Sequence, residues 1–306
     1  MAPSSASGGV PRQALAAGIG AYLLWGFLPL YFHVLYGMGV GSAEMIAHRT
    51  LWAVAWAFGL VLLGRQVPQV ARVLGEPRTL GFLALSTLAI LVNWTIYVIA
   101  VNGGKVLEAS LGYYINPLMN MAVGAVLFRE RMNVEGKVAI GLAVVGVAVQ
   151  ALALGHLPLT SLTLAFSFCL YGVIRKQVQA DAQTGLFIEC LYLTLPGLAY
   201  VLFLETTGAG HFRDGWGVAL LLLAAGPATV VPLALFAWAA RRLTMTALGF
   251  LQFLAPTLQF GVGIALGEAF TPLRALSFAF IWAGVAVFAW GVLRGSTRRS
   301  APAHHD

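Results

Sequence analysis

Residues 110–130 read SLGYYINPLMNMAVGAVLFRE, and residues 247–268 read ALGFLQFLAPTLQFGVGIALGE. Each copy opens on Leu-Gly-aromatic, passes a proline and ends on a glutamate. Gly112 and Glu130 in one match Gly249 and Glu268 in the other. Both lie in stretches apolar enough to span a bilayer, the fourth and ninth of ten. Copies five spans apart run through the membrane in opposite directions, because five is odd. The pair therefore predicts an inverted five-helix repeat, an arrangement of many secondary transporters. The halves are residues 14–154 and 158–294, with short tails at 1–13 and 295–306.

Composition fixes the class outward from there. Of 306 residues, 59% are hydrophobic and 9% charged, and the mean hydropathy is +0.85. A soluble domain carries about 25% charged residues. So few charges cannot clothe a soluble surface, whereas a lipid-facing surface needs none. A soluble enzyme, a nucleic-acid binder and a disordered chain are excluded. The apolar spans are 14–35, 43–63, 80–101, 108–128, 136–154, 158–174, 184–204, 216–239, 244–266 and 272–293. The first is too long for a signal-peptide core of about 7–15 residues. None shows the strict alternation of barrel strands. The expected fold is therefore an all-α polytopic membrane protein with ten transmembrane helices. Cys169 and Cys190 fall inside apolar spans and read as small hydrophobes. The net charge of +7 has no basic tract behind it.

Lys and Arg set the orientation. With the N-terminus in the cytoplasm, fourteen of the eighteen fall on inside segments. Lys105, Arg213 and Arg274 are outside, and Arg49 lies within a span. Both termini are expected to be cytoplasmic.

No phosphate-binding loop, H-E-x-x-H or G-x-S-x-G occurs, so ATP hydrolysis, metalloprotease and serine-nucleophile chemistry lack a foothold. No cofactor or metal site is expected. Costly groups inside spans are the candidates instead. Glu44, His48 and Arg49 form the densest ionisable cluster within a span and should face the bundle interior. Arg49 is read as a fixed positive charge for an anionic group or a helix carbonyl. His48 is read as a proton-linked group and Glu189 as an inward-facing carboxylate. The alternative for span two is a structural polar lock or outward snorkelling. Pro117 and Pro256 are helix-break candidates that free the carbonyls of Tyr113 and Gln252. Tyr113, Tyr114, Asn116 and Gln252 beside them read as cavity-lining, as do Trp25, Asn93, Trp94, Tyr97 and Tyr171. The alternatives are proline kinks satisfied by neighbouring helices and polar helix–helix contacts.

Asn93-Trp94 with Tyr97, Asn102, LEASLGYYINPL (107–118) and FRER (128–131) resembles the RarD branch of the EamA-type transporters, in the drug/metabolite transporter superfamily. AYLLWGFLPLYF (21–32), AFSFCLYGVIRK (165–176), QTGLFIE (183–189) and LGFLQFLAPTL (248–258) are similar to the same branch in the same order, so the resemblance covers about residues 14–294. It implies two inverted EamA repeats and a permease of the bacterial inner membrane. It supplies no catalytic or coupling residue. The leading expectation is a secondary transporter of small organic metabolites or drugs working by alternating access, with proton coupling open as an option. The competing reading is a non-transporting membrane sensor or partner-stabilising subunit, which has no need of an inverted repeat with broken helices.

Overall fold

A computed structural model describes residues 12–127, 134–175, 177–240, 242–243 and 251–299. Among them there are helices and turns and no strand. In chain order the helices are α1 Arg12–Gly37, α2 Ser42–Leu63, α3 Val67–Leu74, α4 Pro77–Asn102, α5 Val106–Leu127 and α6 Val134–Leu154. They continue as α7 Leu159–Arg175, α8 Ala182–Thr207, α9 Trp216–Ala240, α10 Leu254–Ala265 and α11 Pro272–Arg299. Seven of the described helices are long and apolar enough to cross a bilayer, and α7 and α10 are shorter apolar helices. Spans one and two fall on α1 and α2, and spans three to ten on α4 to α11. The ninth span is described only from residue 251 onward. The FRER string with Glu130, the Leu248-Gly249-Phe250 motif, and residues 1–11 and 300–306 lie outside the described residues.

Helix α3 lies between the second and third apolar spans. Pro68 sits in its first turn, where a missing N–H costs nothing. Val73 is buried with Leu83, Val178 and Ile188, so the segment is an amphipathic turn folded against the bundle.

The helices pair in a regular pattern. α2 packs on α8, α5 on α10, and α6 on α11. α1 packs on α9 and α10, while α7 packs on α4 and α5. α2 also packs on α9, and α8 on α4. Exchanging each span with the one five further along maps every one of these pairs onto another or onto itself. α2 and α8 run antiparallel: Gly197 abuts Ala47 and Thr50, and Gly64 abuts Gln183. A Cβ on Gly226 would lie 2.7 Å from the Trp52 carbonyl oxygen, so its absence lets α9 close on α2. Close approach at small residues is how transmembrane helices gain packing energy.

The two proline motifs behave differently. Pro117 lies inside an unbroken α5, which corrects the expected break there. A single proline removes one hydrogen bond and need not interrupt a helix held on both sides by α7 and α10. The chain does break at Gln252-Phe253, and Pro256 then stands in the first turn of α10. Glu268, at the end of the second motif, caps α5: it accepts the Val106 N–H and the Leu107 N–H, the latter at 3.0 Å. A carboxylate at a helix N-terminus satisfies unpaired donors and suits the helix dipole. Burial pushes the Glu268 carboxyl above the ordinary carboxylate range, and the two backbone N–H groups draw it back down.

Candidate functional site

Span two carries its ionisable cluster inward. Glu44, His48 and Arg49 are 3%, 1% and 6% exposed. An arginine facing hydrocarbon costs about 2.5–3.5 kcal/mol at mid-bilayer on insertion scales, and α2 avoids this by packing between α8 and α9. The three side chains diverge. Glu44 accepts the His211 backbone N–H at 2.8 Å and pairs with its Nδ1 at 2.7 Å. His48 Nδ1 accepts the Trp52 indole N–H at 3.0 Å. Arg49 Nε donates to Thr229 Oγ1 at 2.9 Å, across 180 residues of sequence.

The Arg49 guanidinium lies over the Trp94 ring at 4.2 Å and 5.9 Å from the Phe32 centroid. Tyr31, Tyr97 and Tyr113 stand within electrostatic reach of it. Tyr97 and Tyr113 meet edge to face at 5.6 Å. The Tyr113 hydroxyl donates to Asn93 Oδ1 at 3.1 Å, and Asn93 Nδ2 donates to the Leu164 carbonyl at 2.9 Å and to Ser167 Oγ at 3.1 Å. No ion pair joins Arg49 to a carboxylate among the described residues.

Above this cluster, the loop between Gly208 and Gly215 is tied down. Both glycines have positive φ, 73° and 130°, which lets the chain turn sharply at each end of the loop. Glu205 accepts the Phe212 N–H at 3.2 Å and pairs with Arg213 at 3.2 Å. Phe212 stacks on His48 at 5.2 Å and on Trp52 at 5.9 Å. Toward the other end of the bundle, Glu189 on α8 is 3% exposed. It accepts Ser86 Oγ–H at 2.6 Å and Tyr171 O–H at 3.2 Å, and Arg175 Nε lies 3.8 Å away. Two clefts of about 510 Å³ open elsewhere, one beside Arg65, Arg72 and Asp181 and one beside Gln183, Trp238 and Arg242.

Comparison with known proteins identifies the chain. The EamA-like transporter family profile matches residues 12–152. "Protein RarD" of Streptomyces exfoliatus is 42% identical over 293 residues, covering 95% of this chain and 92% of that one. This chain belongs to the RarD branch of the EamA-type transporters. "Protein RarD" of Salmonella typhi is 39% identical, covering 90% of this chain and 94% of its own. An "Uncharacterized transporter" of Vibrio cholerae is 37% identical, covering 95% and 96%. A solved crystal structure shares the fold at 22% identity, with a TM-score of 0.58 over 92% of this chain and 98% of the other. As a RarD-branch protein, the chain is a multi-pass membrane transporter of the drug/metabolite type.

In this RarD-branch chain, the fold gathers Arg49, Trp94, Tyr97 and Tyr113 into one cluster, with Asn93 behind it. Tyr171 and Glu189 form a second cluster. Tyr114 belongs to neither: its hydroxyl bonds Thr257 Oγ1 at 2.7 Å and its ring meets Phe278 at 6.3 Å. Trp25 packs on Tyr22 at 5.3 Å, and its carbonyl accepts from Gln259 at 3.1 Å. Asn116 is buried in α5, with Oδ1 unpartnered. Gln252 occupies the turn before α10 and makes no described contact with the Arg49 cluster. Sequence reasoning did not select Phe32, Ser86, Arg175, Thr229, His211 or Phe212 as site residues. Each is an ordinary residue of a span or loop until packing sets it beside a buried charge.

Proposed function

We propose that the chain is a secondary transporter of small organic metabolites or drugs in the bacterial inner membrane. It works by alternating access between inverted five-helix halves, 14–154 and 158–294, with both termini cytoplasmic and ten helices across the bilayer. What carries this reading is Arg49, a buried cation without a carboxylate partner among the described residues, held between α2 and α4 of the first half and α9 of the second. A scaffold or sensor gains nothing from such a charge; a carrier uses it to hold cargo. The exchange pattern of the helix pairs supports the inverted repeat. The Glu44–His211 latch with Phe212, and the Glu189–Arg175–Tyr171 cluster, suit an outer and an inner closure. Spans five and ten, α6 and α11, pack on each other as a support.

The test is uptake into proteoliposomes from a metabolite mixture, read by mass spectrometry, with and without a pH gradient. Flux of at least one small organic solute, lost in Arg49→Gln at near-normal membrane abundance, is expected. No flux from correctly folded protein would favour a partner-stabilising role. In intact cells a cysteine at position 72 should resist labelling from outside, and one at 211 should react; labelling at 72 would reverse the orientation.

A further inference from the structure

Deepening the transporter reading, on which it rests, we infer that the Arg49 site recognises an organic monoanion: a carboxylate-type headgroup on a flat apolar body, with no ammonium group read alongside it. A guanidinium has five N–H donors and no acceptor. In Arg49 the Nε–H goes to Thr229, and the face of the group is covered by Trp94. Stacking uses the face and leaves the edge, with its two terminal nitrogens, suited to a bidentate carboxylate.

A second observation points the same way. Tyr97 is 3% exposed, its ring meets Phe32 at 6.2 Å, the same ring that faces the Arg49 guanidinium, and its hydroxyl has no hydrogen-bond partner. His48, next to Arg49 in the chain, also has an unpartnered ring nitrogen, Nε2. Its Nδ1 accepts the Trp52 indole N–H, and an indole can only donate. The neutral ring therefore carries its proton on Nε2, so this unsatisfied atom is a donor as well. Unpaired buried polar groups cost about 1–3 kcal/mol each in general. The His48 donor lies on a different face of α2 and is not counted with Arg49; the open edge of the guanidinium and the unpartnered Tyr97 hydroxyl describe a place for acceptor oxygens.

The same surroundings argue against a cation or a zwitterion. Glu44 is engaged by His211 through two contacts. Glu189 is engaged by Ser86, Tyr171 and Arg175. It also lies eight residues before Gly197, the α8 residue that abuts Ala47 and Thr50, which places it about 12 Å further along the helix. A substrate ammonium beside a carboxylate held by Arg49 would find aromatic faces and hydroxyls, not a free acid. Those faces, Trp94 and Phe32, are what a flat apolar body would pack on.

Binding is tested apart from transport. The full-length protein in lipid nanodiscs is heated with a panel of aryl and alkyl monocarboxylates at millimolar concentration. Each acid is matched by its neutral amide, and phenylacetate is also matched by the zwitterion phenylglycine and the cation 2-phenylethylammonium. Protection by at least one acid is expected, with its amide weaker by roughly tenfold or more, the scale of a charge-assisted bond. Protection should vanish in Arg49→Gln and weaken about tenfold in Tyr97→Phe, a variant whose own thermal midpoint should not fall. Arg49→Lys, which keeps the charge without the fork, should bind more weakly than wild type and keeps the test open if Arg49→Gln misfolds. Equal protection by acid and amide, better protection by phenylglycine, or no protection by any acid would overturn the inference. Anion protection without flux would keep it and count against transport. Flux of cations or neutral solutes without anion protection would do the reverse.

Discussion

Arg49 and Glu189 occupy matching places and have opposite surroundings. Each is the eighth residue of its helix, α2 and α8, and these helices pack antiparallel. Each bonds a hydroxyl on a neighbouring helix, Thr229 for Arg49 and Ser86 for Glu189. Each of those hydroxyls also lies within hydrogen-bond distance of a carbonyl of its own helix, Ala225 for Thr229 and Leu83 for Ser86. The likeness stops at the charge. Glu189 has a cation, Arg175, and a second hydroxyl, Tyr171. Arg49 has an indole face and no acid among the described residues. A compensated buried charge holds helices together; an uncompensated one is a place where something can bind.

The largest expected effect separates the two by what is lost. Arg49→Gln should lower transport about 100-fold, the loss of ~2.7 kcal/mol of charge-assisted binding, while abundance and thermal midpoint stay near wild type. Glu189→Leu strands Arg175 and should lower stability by about 3 kcal/mol, as breaking a buried pair does, visible as reduced membrane abundance and a lower midpoint. Equal destabilisation by both would make Arg49 a structural lock and erase the contrast. Normal transport and stability in Glu189→Leu would remove the inner closure.

A smaller effect sharpens the Glu189 side. Tyr171→Phe deletes one hydroxyl donor to the carboxylate and should cost about 1 kcal/mol of thermal stability, with substrate affinity unchanged. A large affinity change with no stability change would move Tyr171 into the binding site. The smallest effect concerns the loop between α8 and α9, which the proposed orientation puts outside. Glu44→Gln weakens the contact with His211, and a cysteine at position 212 should then react with an external reagent a few-fold faster. An unchanged rate would mean that Glu205, which holds Phe212 and Arg213, suffices to keep the loop shut.

The reading of the prolines shows where sequence reasoning ran out. A proline in each motif copy, with polar neighbours, gave the same expectation for both. Pro117 stays within a continuous helix and Pro256 follows a break. Tyr114 was grouped with Tyr113 because they adjoin. One turns to Asn93 on α4 and the other to Thr257 on α10, since neighbours on a helix point about 100° apart.

What the sequence determined by itself is what the bilayer selects residue by residue. Apolar length marked where the spans lie, and scarcity made Glu44, His48, Arg49 and Glu189 conspicuous, since each is costly facing lipid. Tertiary structure alone decided what those groups meet. Glu44 finds His211 across 167 residues and Arg49 finds Thr229 across 180. The physical reason is that a transmembrane helix is apolar on every side, so its hydrophobic pattern does not say which face is inward. That choice falls to close packing, as where Gly226 meets Trp52 and Gly197 meets Thr50. Those contacts left Glu189 with a cation beside it and Arg49 without an acid.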